Sequence, residues 1–255
     1  MTNAPTFRLP QRTQAERADE TRARILAAAI RQFSREGLSG ARTEQIAKDA
    51  GVNKALLYYY FQGKEALYAA ALEEVADRVR ASSMAVLEGS ATAGERFLRS
   101  ALNHFDRVYS NPGFQSLMQQ EMIRLHRGEE NALTTLAEKV FKPLVARMRG
   151  VLAEGIVSGE LIAVDPSQIQ LAALGANVFY FLSAPLMRLI EKDDPLEHSA
   201  LKSRRSTAIE YLGQTIFVDR EHGAQLAAKV LAATPMPVGD VEMFYGARMP
   251  KDARL

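Results

Sequence analysis

The chain has 255 residues, of which 47% are apolar and 24% charged, enough for one large domain or two modest ones with a real core. It has no cysteine, which excludes a disulfide framework, a thiolate nucleophile and a cysteine-ligated zinc site. Net charge is only +2, but residues 1–65 hold 11 Arg/Lys against 7 Asp/Glu; a basic front end on a near-neutral body suits a DNA-binding head, or simply a solvated basic surface.

Residues 1–12, with Pro5 and Pro10, read as an arm. The arginines Arg8, Arg12, Arg17, Arg22 and Arg24, with no apolar run between them, argue against a secretory signal and for a cytoplasmic protein. Thr13 and Glu16 have capping-box spacing and can start a first helix, with a start nearer Thr21 left open. Ile25, Leu26, Ala29, Ile30 and Phe33 recur at helical spacing, and Gly37 ends the run. Thr43 is expected to cap a second helix that turns Ile46, Ala47 and Ala50 inward. Gly51 supplies a sharp turn, and Asn53 caps a third helix running to about Tyr60. A fourth helix is expected from Lys64 to about Leu87.

The remainder is helical again. Phe97, Leu98, Ala101, Leu102, Phe105 and Val108 form an apolar stripe that stops at Asn111-Pro112-Gly113. Helices are expected from about Phe114 to His126 and from about Leu133 to Val157, with a kink or split at Pro143. Pro166 opens a helix to about Ile190 that is apolar nearly all round. Its first 22 residues carry no charge, yet Gln168, Gln170, Asn177, Ser183 and Pro185 favour a helix buried on several sides over a membrane span. A last main helix covers about 196–218, and residues 219–231 can add a short one. Pro235, Pro237, Gly239 and Pro250 suggest an extended tail, with Phe244 and Tyr245 able to pin it to a surface. No period-2 strand is visible, so the expected fold is all-α: a three-helix head and a larger helical body with a two-helix dimerisation face. The expected divisions are 1–65, 66–231 and 232–255.

The segment from Phe33-Ser-Arg-Glu-Gly-Leu-Ser-Gly40 through Thr43-Glu-Gln-Ile-Ala-Lys-Asp-Ala-Gly-Val-Asn53 to Leu57-Tyr-Tyr-Tyr-Phe61 and Lys64-Glu65 resembles the TetR family of bacterial transcriptional regulators. The likeness covers about residues 20–70 and departs at Asn53, where Ser or Thr is usual, and at Leu56, where a small or polar residue is frequent. It implies a helix-turn-helix head, with Thr43 and Lys64 clamping phosphates and dimerisation through a four-helix bundle, two helices from each chain.

The residues support that reading independently. The second helix of a helix-turn-helix enters the major groove with its N-terminal residues near the base edges. Asn53, Lys54 and Ala55 then lie closest to bases, by hydrogen bond or by contact with a thymine methyl. Thr43 and Lys64 stand at helix N-termini, where donors converge on an anion, and Arg42 can add a phosphate contact. Three consecutive tyrosines on so short a helix point in directions about 100° apart and cannot all be buried. Tyr59 and Tyr60 are expected to face DNA, Tyr58 to do so or to pack inside, and Leu57 and Phe61 to form the core pair.

One such head reads few bases, so a homodimer on a palindromic double-stranded operator is expected, paired through 166–190 and 196–218. In the body, Phe97, His104, Phe105, Tyr109, Met118, Met122, Phe141 and Phe179 are candidates for an adaptable apolar ligand site, although such residues are more often plain core. The resulting expectation is a repressor released by a small, largely apolar effector. The rival is a helical small-molecule-binding or metabolic protein whose head does not read DNA. No HExxH, P-loop or G-x-S-x-G occurs, and the spacing of His104, Glu121 and His126 matches no short metal motif, so neither an enzyme nor a cofactor or metal site is expected.

Overall fold

The structure is a computed structural model that describes residues 13–239, and it is all-α. The expectations for the 1–12 arm and for Phe244, Tyr245 and Pro250 fall outside the described residues. The chain divides between Ala71 and Leu72 into two compact units.

In the first unit, α1 (Gln14–Gly40) begins with a complete capping box. Thr13 accepts the Glu16 N–H at 3.2 Å and donates its own N–H to the Glu16 carboxylate at 2.7 Å, satisfying two helix-end donors reciprocally. Gly37, at φ 69° and ψ 177°, breaks the helical run as expected, and one further turn follows to Gly40. Helices α2 (Thr43–Asp49) and α3 (Lys54–Tyr60) follow. Ile25, Leu26, Ala29, Phe33, Ile46, Ala47, Leu57, Phe61, Leu67 and Tyr68 are all buried. The Phe33 and Tyr68 rings meet edge-on at 4.9 Å. Tyr68 belongs to α4 (Lys64–Leu87), and burial of its first two turns is why the unit ends after Ala71 rather than at 65.

The second unit holds the rest of α4, then α5 (Ala93–Ser110), α6 (Pro112–His126), α7 (Leu133–Leu136), α8 (Lys142–Val157), α9 (Pro166–Ile190), α10 (His198–Thr215) and α11 (Arg220–Ala233). Pro143 splits the expected 133–157 helix. A π-helical segment, Ala137–Phe141, joins α7 to α8, and the Lys142 N–H reaches back to the Ala137 carbonyl. The wider turn accommodates a ring that an α-helical interior rejects. Helix α5 is the centre of the unit, packing against α6, α8, α9, α10 and α11. Its Phe97, Leu98 and Leu102 join Val151, Leu152, Ile209, Phe217 and Val230 in the main core. Phe105, Val108 and Tyr109 join Phe181, Ala184 and Leu201 in a second cluster.

Helix α11 matches the 219–231 segment expected to within two residues, and its packing explains why it forms. It crosses α10 where Gly213 faces Gly223: a Cβ added to Gly213 would stand 2.6 Å from the Gly223 carbonyl oxygen. Only a backbone without side chains comes so close, and the expected division at 231 therefore falls inside a packed helix.

Candidate nucleic-acid interface and effector region

The turn between α2 and α3 is set by local chemistry. The Gly51 N–H donates to the Lys48 carbonyl and the Val52 N–H to the Ala47 carbonyl, with Gly51 at φ 66°. This is a Schellman stop, whose left-handed residue is met without cost by glycine. Two residues on, the Asn53 side-chain oxygen accepts the Leu56 N–H at 2.7 Å and starts α3. Leu57 and Phe61 drop into the core, which turns the other side of α3 outward.

On that outward side Tyr59 is 81% exposed, and Asn53, Lys54, Ala55 and Tyr58 are also exposed. Tyr60 is half-buried, its ring edge-on to Tyr59 at 5.5 Å. For Tyr58, the hydroxyl lies 3.1 Å from the Thr43 hydroxyl while part of its ring meets solvent. Thr43 does not cap α2. It is the first helical residue and is buried, Arg42 takes the cap position without a side-chain bond, and Arg42 is exposed. The tie to Tyr58 turns the threonine inward, leaving its backbone N–H rather than its hydroxyl at the helix end. Lys54 is held by the Glu44 carboxylate and lies 5.7 Å from the Tyr58 ring centre. The pair raises the lysine pKa and lowers that of the glutamate. Lys64 opens α4, and its ammonium donates to the Ser39 carbonyl at 3.0 Å. Each ammonium keeps donors beyond the one bond it makes within the chain.

The eight candidate effector residues do not gather at one surface. Phe97 lies in the main core, Phe105 and Tyr109 in the second cluster, Met118 is buried and Phe141 is half-buried in the π-helical segment. Met122 is 43% exposed, because the buried residues of α6 end at Glu121. Phe179 is 67% exposed, on an outward stripe of α9 with Leu171, Leu182, Leu186, Leu189 and Ile190. Both therefore lie at the surface of the described chain rather than in its core. The opposite face of α9 holds Ile169, Ala173, Asn177, Phe181 and Arg188, all buried, with Arg188 paired to Asp194 at 3.0 Å. A groove of about 330 Å³ runs between α5, α9 and α10, and of the eight candidates only Phe105 lines it.

His104 does occupy a polar interior, with neighbours that the sequence did not single out. The Asn177 amide nitrogen donates to the Ala101 carbonyl at 3.3 Å and faces His104 Nδ1 at 3.4 Å. Burial pushes the imidazole pKa down to about 3, and the nearby Arg107 charge adds to the shift. Burial also lowers the Arg107 pKa, to about 10; its Nη1 donates to the Ser83 hydroxyl at 2.9 Å. One turn earlier the Asn103 amide nitrogen is buried without a partner among the described residues. The signal available in the sequence was that 103, 104 and 107 are polar and lie within one turn of each other beside the apolar stripe of α5. Glu121 binds Arg124 and the Ala132 N–H, and His126 bonds to the Met122 carbonyl, so neither joins His104 in a ligand set.

A helix-turn-helix with a capped, outward-facing second helix, followed by a larger helical unit, defines a DNA-binding regulator of the helix-turn-helix class. The family model "Bacterial regulatory proteins, tetR family" matches residues 25–71, and "Tetracyclin repressor-like, C-terminal domain" matches 95–212. Over 168 residues the chain is 33% identical to the HTH-type transcriptional regulator RutR of Escherichia coli, covering 65% of this chain and 76% of that protein. It is 34% identical over 138 residues to the HTH-type transcriptional repressor NicS of Pseudomonas putida, covering 52% of this chain and 65% of that one. The fold is shared with a transcriptional regulator from Saccharomonospora viridis, solved in complex with choline, at TM-score 0.62 and 18% identity, covering 79% and 100% of the two chains. The chain belongs to the TetR family of bacterial regulatory proteins.

Proposed function

We propose that this regulator acts in the cytoplasm as a homodimeric repressor, released from a palindromic operator when a small molecule enters its body. The observation that carries the reading is the outward face of α3, where Tyr59, Lys54 and Ala55 lie in solvent on a helix whose other side is locked into the core. In this reading the DNA-reading domain extends to residue 71, and the body supplies dimerisation and sensing. The α9 stripe supports a partner, since six large apolar side chains on one exposed helix face mark an interaction surface. A Cβ added at Gly175 meets nothing within 4 Å, which leaves room for a second helix to approach. An effector that favours the non-binding arrangement by about 1–3 kcal/mol lowers operator affinity by about 5–150-fold. The test is selection of random duplexes by the purified protein. The expected product is an inverted repeat with half-site centres about 34–36 Å apart or a multiple of that. Enrichment of no symmetric sequence removes the operator reading.

A further inference from the structure

We propose that Arg107, His104 and Asn103 form the docking point for a carboxylate carried by the effector. This rests on the reading that the body takes a small molecule, and it names that molecule's chemistry.

The three side chains share one side of α5. Residues three and four apart on a helix are neighbours, so Arg107 stands between the other two. Each of the three carries a hydrogen-bond donor. The Asn177 amide nitrogen, identified as a donor by its bond to the Ala101 carbonyl, faces His104 Nδ1. Nδ1 is therefore the acceptor, and the neutral ring carries its proton on Nε2. The Asn103 amide nitrogen is buried with no partner among the described residues. Arg107 uses Nη1 on Ser83, and its Nε and Nη2 have no hydrogen-bond partner among the described residues.

No carboxylate balances Arg107 within ion-pair distance among the described residues. Two acids of α5 and α6 are already taken: Asp106 receives both arms of Arg205 at 2.6 and 2.7 Å, and Glu121 receives Arg124 at 2.7 Å. Arg107 is half-buried, and a cation partly withdrawn from water without a counter-charge is costly to keep. The buried Asn103 amide, left without a partner among the described residues, adds to that cost. One cation with a planar fork matches one planar monoanion, which a carboxylate supplies with two acceptor oxygens. A cationic ligand meets repulsion here, and a neutral one leaves the guanidinium unbalanced.

The test uses the full-length protein and three matched probe sets: benzoate, hexanoate and decanoate, each beside its amide and its amine. Thermal unfolding and calorimetry are run on the wild type, Arg107→Gln and Arg107→Lys. At least one acid is expected to bind the wild type and to raise its Tm, its amide and amine to bind at least about tenfold more weakly, and Arg107→Gln to lose the acid by a similar factor. Without a probe, Arg107→Gln is expected to melt at or above the wild-type temperature, because the cation it removes has no counter-charge. The proposal is overturned if no acid binds, if amides bind as well as acids, if Arg107→Gln binds acids as the wild type does, or if its unliganded Tm falls steeply, which marks a structural arginine. A parallel anisotropy titration on the selected duplex separates the two readings. Acid bound through Arg107 with unchanged DNA affinity supports the docking point and removes the sensor. A neutral compound that releases DNA from wild type and Arg107→Gln alike keeps the sensor and overturns the docking point.

Discussion

Helices α3 and α5 both carry nitrogen cations, and they treat them in opposite ways. On α3, Lys54 stays in water beside Glu44, with both side chains at least half exposed. Such a pair contributes little to stability and can be exchanged for a phosphate at little cost. On α5, Arg107 is half-buried, with one serine hydroxyl and no counter-charge among the described residues. A surface that must take and release a polyanion keeps its charges solvated and exchangeable. An interior site that must answer one molecule keeps its charge unbalanced until that molecule arrives.

The strongest way to break this division is to remove the pairing on which α3 is proposed to depend. Phe179→Glu places a charge in the exposed apolar stripe of α9, away from both donor sets. Sedimentation is expected to give monomers, and operator affinity to fall by at least about 100-fold, since a lone head reads few bases. A dimer of unchanged affinity would place the interface elsewhere. Next in size is Tyr59→Ala. The ring is solvent-exposed, so the Tm should stay within about 2 °C of wild type while operator affinity falls about 5–150-fold. Loss of stability instead would mean that the ring packs the head rather than reading DNA.

The buried side of the comparison is sharpened by pH. His104 has a folded pKa of about 3, below its ordinary value of 6.5. Between these values the unfolded chain holds the extra proton, so His104 contributes stability that is complete above about pH 6.5 and is lost as pH falls toward 3. The drop in Tm from pH 7.5 to pH 5.0 should be larger for wild type than for His104→Asn. Equal drops would mean that the imidazole is as solvated folded as unfolded. The smallest effect is expected from Glu44→Gln, which frees Lys54 and removes a negative charge from the DNA-facing side. Operator affinity at low salt should rise by about two- to fivefold, with the Tm nearly unchanged. Weaker binding would mean that Glu44 positions Lys54 rather than competing for it.

Much of the head was legible because its signals are local. Gly51 and Asn53 set a turn and a cap by their own chemistry, and the i to i+4 pair Leu57 and Phe61 fixes which way α3 faces. Thr43 was misplaced because its inward turn depends on Tyr58, fifteen residues away. In the body the helices were legible from periodicity, while contacts among them were not. Met122 and Phe179 share the residue types of buried neighbours, and only tertiary packing places them outside. Arg107 and Asn103 were passed over because their significance lies in the partners they lack, which no spacing reveals.

The central claim, that two copies of one short helix together read a symmetric site, is tested most directly by stoichiometry. Labelled duplexes carrying the full selected site or a single half-site are titrated with the wild-type protein, following anisotropy and sedimentation together. The account predicts two protomers on the full site and at least about 100-fold weaker binding to the half-site. One protomer on the full site, with equal affinity for the half-site, would contradict it.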